Sequence, residues 1–276
     1  MCDNYKKKEQ ILNILLKELN ERQGGTDVLV MTSKELLVPI AGIEIALRFQ
    51  FGGTEMLFHN FEHRKVPVNY NGPYLSADKN KVLANSYELN CTREFAEFCC
   101  LLEETADFLT LNNSTIYHGV AFIYESGAYI LTAPSGTGKS TQYRNLRTMY
   151  GPGIRIINGD KPALGWNSDG QIIVYPSPWT GKEGWAGKDK APLHGLILLE
   201  QGQTNIVKTM DIEEAVLPLM EEFIYTAKSR ESVHTVCRMA DSILRRTPLY
   251  RFINKGDIES SAMLYDLIKR VEELWD

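Results

Sequence analysis

Residues 131–142 read L-T-A-P-S-G-T-G-K-S-T-Q, and their reading decides the fold of the chain around them. Ala133 to Ser140 follow the pattern of Ala or Gly, four residues of any kind, then Gly-Lys-Ser/Thr. Gly136 and Gly138 let main-chain N–H groups turn inward without a Cβ in the way, making a nest for anionic oxygens. Lys139 supplies a point charge for the outer phosphates, and the Ser140 hydroxyl suits Mg²⁺. The stretch ends an apolar run and opens a helical pattern, so a helix N-terminus faces the same charge. Average residue frequencies give such a match by chance in roughly 2% of chains this long. The expected ligand is a nucleoside triphosphate, ATP, with Mg²⁺.

Bulk composition limits the alternatives. The 276 residues suffice for one large domain, or a domain with a smaller attachment, and 43% are hydrophobic. A formal net charge of −5 argues against a general nucleic-acid binder, which needs basic surface. The five cysteines are odd in number and lack the paired spacing of a zinc site. They read as thiols of a reducing compartment, with Cys99 and Cys100 on a helix. The apolar stretch at 36–43 is too short to span a bilayer, and the N-terminus lacks a signal-peptide pattern. A cytoplasmic protein with no membrane partner is expected.

The organisation is α/β. Residues 5–22 carry apolar residues at helical spacing; residues 27–31, 43–49 and 81–89 read as strands. Residues 1–90 are therefore a strand-rich N-terminal region with a leading helix, and 91–276 the nucleotide-binding domain. Thr92 is placed to cap a helix that runs to Asn112-Asn113. Two apolar runs at 116–124 and 128–133, joined by E-S-G, suggest a hairpin whose second strand enters the loop. Further strands are expected at 154–157, 171–175, 196–199 and 248–252. Helices are expected near 211–224, 231–246 and 257–275, the last with Leu264, Leu267, Ile268, Val271 and Leu274 on one face.

Two residues outside the loop invite a role. Asp160 ends the apolar run I-R-I-I-N-G-D, where a carboxylate gives Mg²⁺ or its water shell a second partner beside Ser140. His118 lies on the first strand of the hairpin, from which it can face the γ-phosphate as a proton acceptor or an electrostatic partner.

The run from His118 through Thr141 resembles the approach to the phosphate loop in the C-terminal domain of HPr kinase/phosphorylase. The likeness continues at I-I-N-G-D-K-P-A-L and L-H-G-L-I-L-L-E, covering roughly residues 114–200. The resemblance implies a phosphoenolpyruvate carboxykinase-like P-loop domain with a mixed β-sheet, beside the smaller N-terminal region. It implies that Ser135, Gly136, Thr137, Gly138, Lys139, Ser140 and Thr141 bind phosphate, that His118 sits in the catalytic pocket, and that Asp160 matches the second of two paired aspartates. The family also forms homo-oligomers.

The sequence departs from that pattern in two places. Gly159 stands where the first aspartate, the family's usual base, belongs. The Glu-x-Arg-Gly signature is missing, and in its place runs P-W-T-G-K-E-G-W-A-G-K-D-K, residues 178–190. This segment looks like a flexible loop bearing aromatics, or a surface loop pinned by buried tryptophans. In it Lys182 is the candidate replacement cation, Glu183 the candidate replacement base, and Trp179 a surface for a base or substrate.

Three further features keep two readings. Glu200 either orients a water or hydroxyl or is a solvated strand end. His59 and His63 suit zinc only on a helix and with a third ligand. Arg245-Arg246 suits a helix C-terminus or a phosphate. The leading expectation is an ATP-dependent phosphotransferase acting on a hydroxyl of a protein, peptide or small molecule, with His118, Asp160, Lys139 and Glu183 as catalytic residues. The rival is a non-catalytic ATP-binding regulatory module. A carboxykinase ranks third, because its second metal and its cluster of cations cannot be assembled here.

Overall fold

The computed structural model describes residues 34–275. The helix expected over 5–22 and the strand over 27–31 lie outside the described residues. Those described divide into two units, 34–39 with 43–105, and 40–42 with 106–275.

In the first unit β1 (Glu35–Ile40), β2 (Ile43–Arg48) and β3 (Tyr74–Ser76) form a sheet in the order β1-β2-β3. The strand expected over 81–89 is a helix instead, α1 (Lys79–Glu88). Asp78 caps it, its carboxylate accepting from the Lys81 N–H at 2.8 Å, and Val82 is its one fully buried residue. An Asp start signal and a single buried position outweigh the apparent alternation. Helix α2 (Arg93–Leu111) starts as expected, with the Thr92 hydroxyl accepting from Phe95 N–H at 3.2 Å. Buried Glu97 accepts from Gln50 N–H, Phe51 N–H and the Thr54 hydroxyl, so one carboxylate organises the irregular 50–54 segment. His59 and His63 lie off any helix, each ring bonded to a nearby carbonyl.

The second unit is built on a ten-stranded mixed sheet. Its strands are β4 (Ser114–Tyr117), β5 (Val120–Tyr124), β6 (Gly127–Thr132), β7 (Arg155–Asn158), β8 (Ala163–Trp166), β9 (Ile172–Tyr175), β10 (Ala191–Gln201), β11 (Ile206–Thr209), β12 (Phe223–Ile224) and β13 (Leu249–Asn254). The expected strand at 196–199 is the middle of the eleven-residue β10, which joins two halves. Its first residues pair antiparallel with β9, extending β12-β4-β8-β9. The rest lies parallel to both β6 and β13.

Helices cover both faces: α3 (Lys139–Tyr150), α4 (Ile212–Glu221), α5 (Arg230–Arg246) and α6 (Ile258–Glu272). Strand alternation feeds a core on each side. Ile123, Ile130, Leu196 and Leu198 pack with Leu219 of α4 and Met239 and Ile243 of α5. Phe122, Tyr129, Leu131, Ile197 and Leu199 pack with Leu146 of α3 and Leu264, Leu267 and Ile268 of α6. Leu274 does not join that face. It lies beyond the end of α6 and is 69% exposed.

Candidate active site

Strand β6 delivers the chain to residues 133–138, and α3 begins at Lys139. Thr137 closes a turn, its hydroxyl and N–H both pointing at the Pro134 carbonyl, at 2.8 and 3.4 Å. Gly136 and Gly138 have φ of +90° and +108°, a region that favours glycine, and the space a Cβ would enter at each is open. Ser135 and Thr141 are exposed, Ser140 is half-buried, and Gln201 at the end of β10 donates to the Gly136 carbonyl at 3.3 Å. The loop thus sits at the carboxyl ends of the parallel strands β6 and β10, where open α/β sheets bind ligands.

Lys139 is buried, its ammonium donating to the Ala133 and Pro134 carbonyls. Burial lowers its pKa to about 8, while the negative charges of Asp160 and Glu222 act the other way and Lys161 adds to the depression. An ammonium desolvated this far has few competing water contacts.

Sheet pairing brings the other residues to the same end. The expected strand over 116–124 is interrupted, because the chain leaves β4, in one half of the sheet, for β5 in the other. His118 and Gly119 form the crossing, so His118 lies between two strands rather than on one. A Cβ at Gly119 would stand 2.6 Å from the Ile130 side chain and 2.9 Å from the Leu131 carbonyl, so only glycine fits the crossing. Antiparallel pairing of β5 with β7 sets Ala121 opposite Asn158 and carries the following turn alongside, where the Gly119 N–H donates to the Asp160 carbonyl at 2.9 Å. Buried Asn158 builds that turn. Its Oδ1 accepts from the Asp160 and Lys161 N–H groups at 2.9 and 2.7 Å, and its amide donates to the Ser177 carbonyl at 2.8 Å.

The result is a line of four polar side chains. Glu222 Oε2 is 2.5 Å from His118 Nδ1, His118 Nε2 is 3.4 Å from Asp160 Oδ1, and Asp160 Oδ2 is 3.2 Å from Lys161 Nζ. Glu222 and Lys161 were not singled out in the sequence. Lys161 was legible as the neighbour of Asp160; Glu222, 104 residues beyond His118, carries no local signal.

The 178–190 segment lies differently from a flexible loop. Gly159 N–H donates to the Trp185 carbonyl and Gly187 N–H to the Ile157 carbonyl, both at 2.9 Å, stapling it along the end of β7. Trp179 is 2% exposed, which places it in the protein rather than on a ligand. A Cβ at Gly159 would stand 2.6 Å from the Thr180 carbonyl, so the segment fills the space of any side chain there. Lys182 is exposed. Glu183 pairs with Arg144 of α3 at 2.9 Å, and that guanidinium lies 5.6 Å from the Trp185 ring centroid. Glu200 faces Arg251 at 3.2 Å, and Arg246 donates to the Gly170 carbonyl at 3.0 Å.

Among the described residues, no group of three or more His, Cys, Asp or Glu is arranged to hold a metal ion by itself. Mg²⁺ on a nucleotide needs less, since one or two protein oxygens suffice while phosphates and water complete the octahedron. The half-buried Ser140 hydroxyl and Asp160 carboxylate are hard oxygen donors that fit this requirement.

No family model matches the chain, and no curated protein matches it. Among solved structures, the Hpr(Ser) kinase/phosphatase from Coxiella burnetii aligns with 48% of this chain and 92% of its own, at 13% identity and a TM-score of 0.27. That overlay is too loose to transfer a residue's role. No helix among the described residues is long and apolar enough to cross a membrane.

Proposed function

We propose that residues 91–276 form an ATP-dependent phosphotransferase domain that moves the γ-phosphoryl group to a hydroxyl of a protein, peptide or small molecule. One observation carries the reading. Two left-handed glycines with open space over them lead into a buried lysine at a helix N-terminus, and that lysine feels the charges of Asp160, Glu222 and Lys161.

Ser135 to Thr141 wrap the phosphates, and Lys139 neutralises charge on the outer ones. Ser140 and Asp160 would hold Mg²⁺, which would neutralise phosphate charge. Lys161, held beside Asp160, offers the second cation near the transferred group, and Lys182 stands further out for an incoming acceptor. His118 accepts the hydroxyl proton as the acceptor oxygen bonds phosphorus and the bond to ADP breaks. Glu183 supports α3 through Arg144. Phosphoryl transfer rests mostly on placement and electrostatics, so one base at hydrogen-bond reach suffices.

Lys139→Ala is expected to abolish transfer of labelled phosphate from ATP and to weaken Mg-ATP binding in calorimetry. Undiminished transfer refutes the assignment. The regulatory-module reading retains one specific support, the Thr180 carbonyl over Gly159, which leaves no room for a carboxylate at that position. Mg-ATP binding without ADP release across candidate acceptors favours the module.

A further inference from the structure

His118 has two ring nitrogens, Nδ1 against Glu222 and Nε2 on the side of Asp160. We propose that Glu222 is a positioning residue: its carboxylate holds the His118 proton on Nδ1 and leaves the Nε2 lone pair on the side of Asp160. This rests on the phosphotransferase reading, which gives Nε2 a proton to accept.

The geometry comes from sheet pairing. Strand β12 runs antiparallel to β4 with Phe223 opposite Tyr117 and Ile224 opposite Ile116, so the next pair outward is Glu222 and His118. The main chains confirm it, the His118 N–H donating to the Glu222 carbonyl at 2.8 Å. Main chain and side chain of Glu222 therefore grip the same histidine. An ionised carboxylate has no proton to give, so the 2.5 Å contact between Glu222 Oε2 and Nδ1 requires the hydrogen on nitrogen. The Glu222 side chain is 11% exposed, and water competes little for that bond. With Nδ1 committed as donor, Nε2 of a neutral ring is the acceptor, and it lies on the Asp160 side. Glu222 sits at the C-terminal end of α4, whose last turn carries no basic residue to compete for it. The chemistry matches other enzymes in which a buried carboxylate sets the tautomer of a basic histidine without itself touching substrate.

The test uses the full chain and two readouts. Nitrogen-15 imidazole spectra, with His118 assigned by its loss in His118→Asn, report which nitrogen bears the proton. The wild-type ring is expected to show protonated Nδ1, and Glu222→Gln, whose amide can donate, to populate protonated Nε2. In steady-state transfer assays Glu222→Gln should lower kcat by about 100-fold, the scale of a mis-set base, with KM for Mg-ATP changed less than about threefold. A Glu222→Gln ring with the wild-type spectrum, or an unchanged kcat, overturns the proposal. If the wild type transfers no phosphate to any acceptor, that failure falls on the phosphotransferase reading, and the ring spectra still decide the role of Glu222.

Discussion

At Gly159 the Thr180 carbonyl, 2.6 Å from where a Cβ would stand, and Trp185 leave a side chain nowhere to go. Gly159→Ala is expected to cost about 1–3 kcal/mol, the range for forcing atoms into packed space. Chemical denaturation measures it, and an unshifted midpoint would show that the 178–187 segment moves aside. Gly136 is the opposite case. Nothing crowds it, but its φ of +90° strains any other residue by about 1 kcal/mol. Gly136→Ala should therefore leave the protein folded. It should weaken Mg-ATP binding at least about tenfold, since the new methyl enters the space assigned to phosphate; calorimetry at equal affinity would count against the loop. The two glycines look alike in the sequence, yet one is held by packing and the other by backbone conformation.

Among the elements, α3 is held by polar contacts as well as by its apolar face. Buried Gln142 donates to Asn254 Oδ1 at 3.0 Å and to the Ser260 hydroxyl at 2.8 Å, and accepts from the Ser261 hydroxyl at 2.8 Å. This network joins α3 to α6 and to the end of β13. Gln142→Ala leaves several buried groups short of a partner and should cost about 1–3 kcal/mol in urea denaturation. A loss below about 0.5 kcal/mol would mean that water replaces the amide. Helix and strand existence was largely legible: α2, α3, α4, α5 and α6 fall close to where capping residues and apolar spacing put them. The short strands β8, β11 and β12 were not foreseen, because two to four residues carry too little periodicity to separate a strand from a loop. The 81–89 segment was misread for a related reason, a weak pattern with only Val82 fully buried.

For the whole molecule, the second unit has a further buried cluster at the opposite end of the sheet from the loop. Glu272 of α6 accepts from Tyr129 at 2.5 Å and from the Ser126 N–H and hydroxyl, and it meets His194 Nδ1 at 2.9 Å. The Trp275 ring stacks on His194 at 4.5 Å. Burial pushes the Glu272 carboxyl up, but the hydrogen bonds from Tyr129, His194 and Ser126 outweigh it and hold the pKa below the ordinary value of 4.5. A carboxylate with a lowered folded pKa stabilises the protein above its unfolded pKa, and that stability is lost as pH falls through the folded one. Unfolding free energy should therefore drop from about pH 4.5 downward, and Glu272→Gln should flatten that slope while lowering stability at neutral pH. An unaltered slope would place the acid sensitivity elsewhere, for example at Asp107, whose pKa is also lowered.

The sequence alone determined the α/β class, the glycine-lysine-serine loop between a strand and a helix, and the candidacy of His118 and Asp160. Each is a local matter: backbone freedom, helix capping and side-chain periodicity act over a few residues and leave their mark there. Only the tertiary structure decided that Glu222 grips His118, that Glu183 is turned to Arg144, and that Gly159 lies under a stapled segment. Those facts follow from strand order and register, which join residues as far apart in the chain as His118 and Glu222. Pairing of that kind is fixed by the burial of two whole sheet faces, and no short stretch of chain records it.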